Sequence, residues 1–129
     1  MTVVLDAWAV TALLQGEPAA QRARSLILDR RAVMSSINLG EVLYSLTRTV
    51  GADVAADRVD GVRQVVEVLD PDWPLVQAAA RIKAGGGLSY ADAFCLATGE
   101  RHGAPVASGD PEIVARAGPA GVIDLRATT

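Results

Sequence analysis

The alternation of short β-branched segments with longer helical segments most constrains how this chain can fold. Each predicted strand is separated from the next by enough sequence for a crossover helix, which is typical of parallel pairing. The predicted strands are residues 3–5, 32–35, 65–69, 105–107 and 122–125. We therefore predict an α/β domain in which helices cover both faces of a parallel sheet.

The segments between the strands have the periodicity and end signals of helices. The clearest helix places its apolar residues at helical spacing and ends at Gly51; these residues are Leu39, Val42, Leu43, Leu46 and Val50. The other predicted helices are residues 8–14, 19–29, 53–63, one opened by residues 71–74 and running to 84, 90–101, and a short one after Asp110. The glycines at 85–87 predict a hinge or a close backbone approach.

Size and composition indicate one domain over residues 1–129. The chain has 129 residues, of which 50% are hydrophobic, so it can bury a sizeable core without disulfides. The single cysteine, Cys95, is typical of a reducing compartment, and the apolar start of the chain is interrupted by Asp6. We therefore expect a cytoplasmic protein with no signal peptide and no membrane span. A net charge of −3 argues against a non-specific nucleic-acid coat but does not exclude a phosphate-bearing substrate.

Four acidic residues stand out because each follows or lies near a strand-to-helix junction: Asp6, Glu41, Asp92 and Asp110. Ligand sites of open α/β sheets lie at these carboxyl ends of strands. Helix capping is the alternative explanation for each acid taken alone. The capping candidates are Asp6, Asn38 with Glu41, Ser89 with Asp92, and Asp110 with Pro111 and Glu112.

The surroundings of Asp6 and Asp92 favour a bound cation. Both carboxylates lie in apolar segments with no lysine or arginine within a helical turn. An ionised carboxylate in such surroundings is costly to desolvate unless a cation or hydrogen-bond donors compensate it. Clustered carboxylates without histidine or cysteine select hard ions such as Mg²⁺ or Mn²⁺.

The same residues, in this order, resemble the PIN-domain nucleases, and most closely the VapC-type toxins of bacterial toxin-antitoxin pairs. The matching segments are Val-Val-Leu-Asp6, Asn38-Leu-Gly-Glu41-Val-Leu, Leu88-Ser-Tyr-Ala-Asp92-Ala and Ala107-Ser-Gly-Asp110. The resemblance covers essentially the whole chain. It implies a three-layer α/β/α domain with a central parallel sheet of four or five strands.

The resemblance also implies a Mg²⁺- or Mn²⁺-dependent endoribonuclease that a cognate antitoxin inhibits, and it favours a homodimer. The implied acidic site is Asp6, Glu41, Asp92 and Asp110, with Asp6 and Asp92 as the metal ligands and Ser108 at the supporting hydroxyl position. Family members often carry a hydroxyl residue just after the first aspartate, whereas this chain has Ala7 and Trp8. We therefore expect that a hydrogen bond to the first carboxylate is missing.

Other residues are weaker candidates for a functional role. Arg48 follows Glu41 by seven positions on one helix face and is a candidate for contacting phosphate, and Asn38 is a further supporting candidate. We expect Cys95 to be a buried apolar group, His102 to lie at a helix end, and Trp8 and Trp73 to pack in the core or an interface rather than stack on bases.

Two other functions are left open. One is a non-catalytic interaction module that keeps the fold, against which the presence of all four acids weighs. The other is a phosphatase that uses Asp6 as its nucleophile, although the second aspartate of the haloacid-dehalogenase pattern is replaced by Trp8.

Overall fold

A computed structural model describes residues 1–117 and 121–126, which form a five-stranded parallel sheet with seven helices. The strands are β1 (Thr2–Leu5), β2 (Arg31–Ser35), β3 (Glu67–Leu69), β4 (Val106–Ser108) and β5 (Val122–Asp124). The helices are α1 (Ala7–Leu14), α2 (Ala20–Asp29), α3 (Ser36–Val50), α4 (Ala52–Arg63), α5 (Trp73–Ala84), α6 (Tyr90–His102) and α7 (Pro111–Ala117). The predicted α/β fold and the number of strands are thus confirmed.

The strand order is β3-β2-β1-β4-β5, and all four neighbouring pairs are parallel. The chain builds outward from β1 to β3 on one side, then crosses back through α5 and α6 to place β4 on the other side of β1. The connections therefore reverse direction between β1 and β4. In open α/β sheets such a reversal leaves a crevice at the carboxyl ends of the two strands.

Alternate side chains of the strands enter two different cores, one on each face of the sheet. Val3, Leu5 and Met34 pack with residues of α1 to α4. Val4 and Val33 pack on the opposite face with residues of α6 and α7. Because side chains alternate across a strand, β-branched runs without polar interruptions are expected where helices cover both faces. This arrangement confirms the three-layer α/β/α prediction.

Helix α6 is buried on both sides, which explains its apolar sequence. Every residue from Asp92 to Gly99 is buried. The face toward the sheet contacts the second core through Cys95 and Leu96, while Ala93 and Phe94 pack against α5. The carboxyl group of Asp92 is therefore carried by a helix with little exposure to solvent.

Several predicted boundaries differ from the structure by one or two residues. The predicted strand 65–69 begins only at Glu67, because Val65 and Val66 donate their amides to Val62 at the end of α4. The predicted strand 105–107 lies one residue later, at Val106–Ser108, and the predicted 122–125 ends at Asp124. Helices α1, α2, α4 and α6 also differ by one residue at an end, because the backbone of a terminal helical residue is only partly helical.

At the three consecutive glycines, two cationic side chains approach the backbone closely and donate hydrogen bonds to its carbonyl oxygens. Arg116 donates to the carbonyl oxygens of Gly86 and Ile82, and Lys83 donates to that of Leu88 at 2.7 Å. A side chain on Gly85 would meet the Arg116 guanidinium. In residues 1–117 and 121–126, no helix is both long and apolar enough to cross a membrane.

Candidate metal centre

The sheet topology brings the four predicted acids to one edge. Asp6 directly follows β1, and Asp110 follows β4, the strand paired with β1. Glu41 lies in α3, which directly follows β2, and Asp92 lies in the first turn of α6. The carboxyl ends of parallel neighbours lie together, so residues separated by up to about a hundred positions in sequence meet here.

Asp6 is the most buried of these acids, with only 3% of its surface exposed. Its Oδ1 accepts a hydrogen bond from the Ala9 amide at 2.9 Å, and its Oδ2 accepts one from the Ser108 hydroxyl at 2.6 Å. The pKa of Asp6 is raised to about 7: burial raises it most, these two donors lower it, and the nearby Asp110 and Asp92 raise it. Asp6 thus caps α1 and also faces the other acids.

Asp6 has the supporting hydroxyl that the resemblance implies at Ser108, although the residues just after Asp6 offer none. Ala7 and Trp8 supply no hydroxyl, but Ser108 reaches Asp6 from the neighbouring strand. Its oxygen also accepts the Asp110 amide at 2.9 Å. Ser108 is fully buried, so its hydroxyl fixes Asp6 relative to the turn that carries Asp110.

Glu41 is supported by Asn38, but not through the capping box that the sequence suggests. The cap of α3 is Ser35, so Asn38 lies inside the helix. Its side-chain amide donates to Glu41 Oε1 at 3.0 Å and to the Ala91 carbonyl at 2.9 Å. Asn38 therefore joins α3 to the start of α6. Burial raises the pKa of Glu41, Asn38 lowers it, and Asp92 and Asp110 raise it.

Asp92 lies in a cap that the sequence predicted correctly. Ser89 is the N-cap of α6, and its hydroxyl accepts the Asp92 amide at 3.1 Å. Burial raises the pKa of Asp92, as do the charges of Asp110 and Glu112, while hydrogen bonds from Ser89 lower it. Capping and clustering are thus not alternatives at this position, because the same residue does both.

The structure adds Glu112 to the predicted acids. Carboxylate oxygens of Asp92, Asp110 and Glu112 all lie within 4.8 Å of one another, the spacing of a group that can hold one ion. Asp110 also caps α7, since its Oδ1 accepts the Glu112 amide at 2.8 Å. The sequence showed Glu112 only as an acid in the first turn of a helix. Its position two residues after Asp110, at the start of a predicted helix, was the signal that could have placed Glu112 beside Asp110. We call Asp6, Glu41, Asp92, Asp110 and Glu112 the acidic site.

The acidic site has the donor chemistry of a hard cation. The charges that most strongly affect Asp6, Glu41 and Asp92 are those of other carboxylates, and all three pKa values are raised. The charge of Asp110 contributes to raising the pKa of Arg126, but the Arg126 guanidinium is paired with Asp124 at 2.9 Å. Mutually repelling carboxyl groups with oxygen donors alone fit Mg²⁺ or Mn²⁺.

A cleft of about 300 Å³ opens beside the acidic site. Trp8, Tyr44, Glu41 and Asp110 line it, with Ala7, Thr11, Glu17 and Ser45. We call it the aromatic cleft. Arg48, the predicted phosphate contact, is exposed in the last turn of α3 and is not among the residues lining this cleft.

The remaining candidates are not part of the acidic site. Cys95 is fully buried, as predicted, and burial raises the pKa of its thiol. His102 is the last residue of α6, ten positions beyond Asp92, which corresponds to about 15 Å along a helix. Trp8 packs partly buried against the first core, as predicted, whereas Trp73 is 68% exposed, which leaves only the predicted interface packing for it.

Comparisons with known proteins place these observations in a family. A family model for the PIN domain matches residues 3–119. VapC20 of Mycobacterium tuberculosis, a toxin that cleaves the sarcin-ricin loop, is 20% identical, with a TM-score of 0.72 over 88% of this chain and 94% of that chain.

Two further solved structures share the fold. DNA-bound VapBC of Salmonella typhimurium is 19% identical, with a TM-score of 0.77 over 97% of this chain and 98% of that chain. A toxin-antitoxin complex of Klebsiella pneumoniae is 16% identical, with a TM-score of 0.75 over 95% and 97%. No curated protein sequence gives a significant match.

Proposed function

Because this chain belongs to the PIN domain family, we propose that it is a Mg²⁺- or Mn²⁺-dependent endoribonuclease, the toxin of a toxin-antitoxin pair. The observation that carries the proposal is the convergence of five acidic side chains at the reversal point between β1 and β4. Within residues 1–117 and 121–126, no arginine or lysine forms an ion pair with these five carboxylates. A fold selected for packing alone would have no reason to gather like charges there.

In this proposal Asp92, Asp110 and Glu112 hold the cation, and Asp6 completes the site directly or through water. When bound, the ion supplies activation of water and neutralisation of charge on the phosphodiester. Glu41, held by Asn38, is the remaining carboxylate that orients the attacking water. The products are a 5′-phosphate and a 3′-hydroxyl, and no covalent intermediate is required.

The chain itself supplies rigid placement of these groups. Ser108 fixes Asp6, Asn38 fixes Glu41, Ser89 fixes the start of α6, and each of these supporting side chains is anchored to backbone or to a second element. Buried supporting hydrogen bonds hold ligand carboxylates in one geometry, which reduces the reorganisation that metal binding requires.

We further propose a cognate antitoxin that inhibits the enzyme, a homodimeric assembly and a cytoplasmic location. The solved toxin-antitoxin complex of K. pneumoniae, which shares this fold, supports the first proposal. Large apolar side chains exposed on α3 and α4, including Leu43, Val50 and Val54, support an assembly that covers them. The buried thiol of Cys95 is compatible with a reducing compartment.

The test is a cleavage assay on protein freed of any antitoxin. A panel of structured and unstructured RNAs is incubated with Mg²⁺, with Mn²⁺ and with chelator. We expect cleavage only with metal, and none with Asp6→Asn or Asp92→Asn. Asp57→Asn, on the exposed surface of α4, is the matched control and retains activity.

Intact RNA across the panel with either metal would favour the non-catalytic interaction module. Release of inorganic phosphate from phosphomonoesters, lost in Asp6→Asn, would favour the phosphatase. The burial of Asp6, which is only 3% exposed, opposes direct attack of its carboxylate on a phosphomonoester.

A further inference from the structure

The position of Trp8 is the feature that the proposed function leaves unexplained. Its indole lies over Gly109: a Cβ at Gly109 would overlap the indole atoms Cε2, Cζ2 and Cη2. Gly109 lies between Ser108 and Asp110, so the ring covers the turn that carries both of these residues. The same indole is partly buried against the core below and lines the aromatic cleft.

Tyr44 supplies a second aromatic side chain to the same cleft. It lies on α3 three positions after Glu41, which puts the two side chains on one face of the helix. Tyr44 is 59% exposed, so its ring is accessible to a ligand in this cleft. The aromatic cleft thus has one ring on α1 and another on α3, with Glu41 and Asp110 beside them.

The charges of the aromatic cleft exclude the usual way of holding nucleic acid. Its charged lining residues are Glu17, Glu41 and Asp110, and no arginine or lysine is among the described residues that line it. Salt-dependent contacts to phosphate need basic side chains. Aromatic stacking does not, because every nucleobase has a face that stacks on an aromatic ring.

We propose that Trp8 and Tyr44 form a nucleobase-binding surface that positions the substrate beside the acidic site. The inference rests on the proposed ribonuclease function and adds the groups that bind its substrate. An unpaired base stacks on Trp8, with Tyr44 on the other wall of the cleft, and the adjoining phosphodiester lies at Glu41 and Asp110. Stacking of this kind requires a base free of its own helix, so a nucleotide in a loop or single strand is the form that fits.

Tryptophan fluorescence tests the proposal directly, because the chain has only two tryptophans. Trp73→Phe leaves Trp8 as the single reporter, and Trp73 lies at the start of α5, outside the aromatic cleft. Asp92→Asn is added to prevent cleavage during the titration. The probes are a fluorescein-labelled single-stranded RNA and matched RNAs in which one nucleotide at a time is abasic, and anisotropy records binding separately.

We expect RNA to quench Trp8 emission, and one abasic position to remove the quenching. In steady-state kinetics, Trp8→Leu raises KM about tenfold with little change in kcat, the loss of one stacked base. Trp8→Phe restores much of the affinity. If Trp8→Leu lowers the melting temperature too far to assay, Tyr44→Leu serves instead, since the exposed Tyr44 contributes little to the core.

Two results would overturn the inference, and they are distinguishable. In the first, labelled RNA binds and is cleaved, but RNA does not change Trp8 emission, and the KM values of Trp8→Leu and Tyr44→Leu equal that of the parent protein. The stacking surface is then wrong and the nuclease function stands. If the parent protein neither binds nor cleaves RNA with Mg²⁺ or Mn²⁺, the proposed function fails and the inference fails with it.

Discussion

The hydroxyl of Ser108 donates a 2.6 Å hydrogen bond to Oδ2 of Asp6 across 102 positions of sequence. It ties the end of β4 to the end of β1 at the point where the sheet reverses its connections. The same oxygen accepts the Asp110 amide, so one buried hydroxyl connects two acids of the site. Both partners lose a hydrogen bond if this group is removed.

Ser108→Ala is therefore expected to lower the free energy of unfolding by about 1–3 kcal/mol, the cost of leaving buried polar groups unpaired. It should also raise the pKa of Asp6 further, because the donor that lowers it is gone. Chemical denaturation at fixed pH measures the first effect. Ser45→Ala, at the exposed rim of the aromatic cleft, is the control; an equal loss there would mean that the buried bond contributes nothing.

The metal-free protein is expected to lose stability as the pH rises from about 4 to about 7. Over this range the unfolded chain releases the proton of Asp6, whose ordinary pKa is 3.8, while the folded chain retains it up to about 7. The loss is complete above that pH and is on the order of a few kcal/mol. Urea denaturation across the range, with chelator present, measures the slope.

Asp6→Asn should flatten this slope and be neutral or stabilising above pH 7, because the amide oxygen can still cap α1 without a buried charge. The same holds in weaker form for Glu41→Gln and Asp92→Asn, whose carboxyl pKa values are also raised. Losses of several degrees in melting temperature on these changes would mean that capping, rather than charge clustering, dominates at these positions.

Glu112→Gln is expected to weaken Mg²⁺ binding by about tenfold, and Asp92→Asn or Asp110→Asn to weaken it more. Glu112 is exposed but reaches the two more buried acids. Calorimetric titration of the metal-free protein gives the affinities. Glu100→Gln, an exposed acid at the other end of α6, is the control. An unchanged affinity in Glu112→Gln would remove this residue from the site.

Gly109→Ala is expected to destabilise the fold by about 1–3 kcal/mol and to lower activity, because the added methyl group displaces either the Trp8 ring or the turn carrying Asp110. Combining it with Trp8→Leu should recover much of the stability but not substrate affinity. Thermal unfolding of the two single variants and the double variant measures this coupling.

Gly61→Ala is the matched control for Gly109→Ala, since its Cβ meets no atom within 4 Å in α4. It should be neutral or stabilising, because alanine favours a helix over glycine. Additive effects of Gly109→Ala and Trp8→Leu would show that the ring and the turn are not in energetic contact.

The sequence by itself determined the succession of elements and the chemistry of the site. Hydrophobic periodicity is local, so five strands, seven helices and the position of four acids near strand ends were readable from the chain. The apolar neighbours of Asp6 and Asp92 likewise predicted burial, which raises the pKa of both.

Only the tertiary structure decided which side chains meet. Ser108 compensates for Ala7 and Trp8, Glu112 joins Asp92 and Asp110, and Trp8 covers Gly109, all through the pairing of β1 with β4 or the packing of α6 and α7 at that edge. These contacts join residues far apart in sequence, and no local pattern encodes their partners. Their physical basis is the strand order, which is fixed by burying two apolar sheet faces at once.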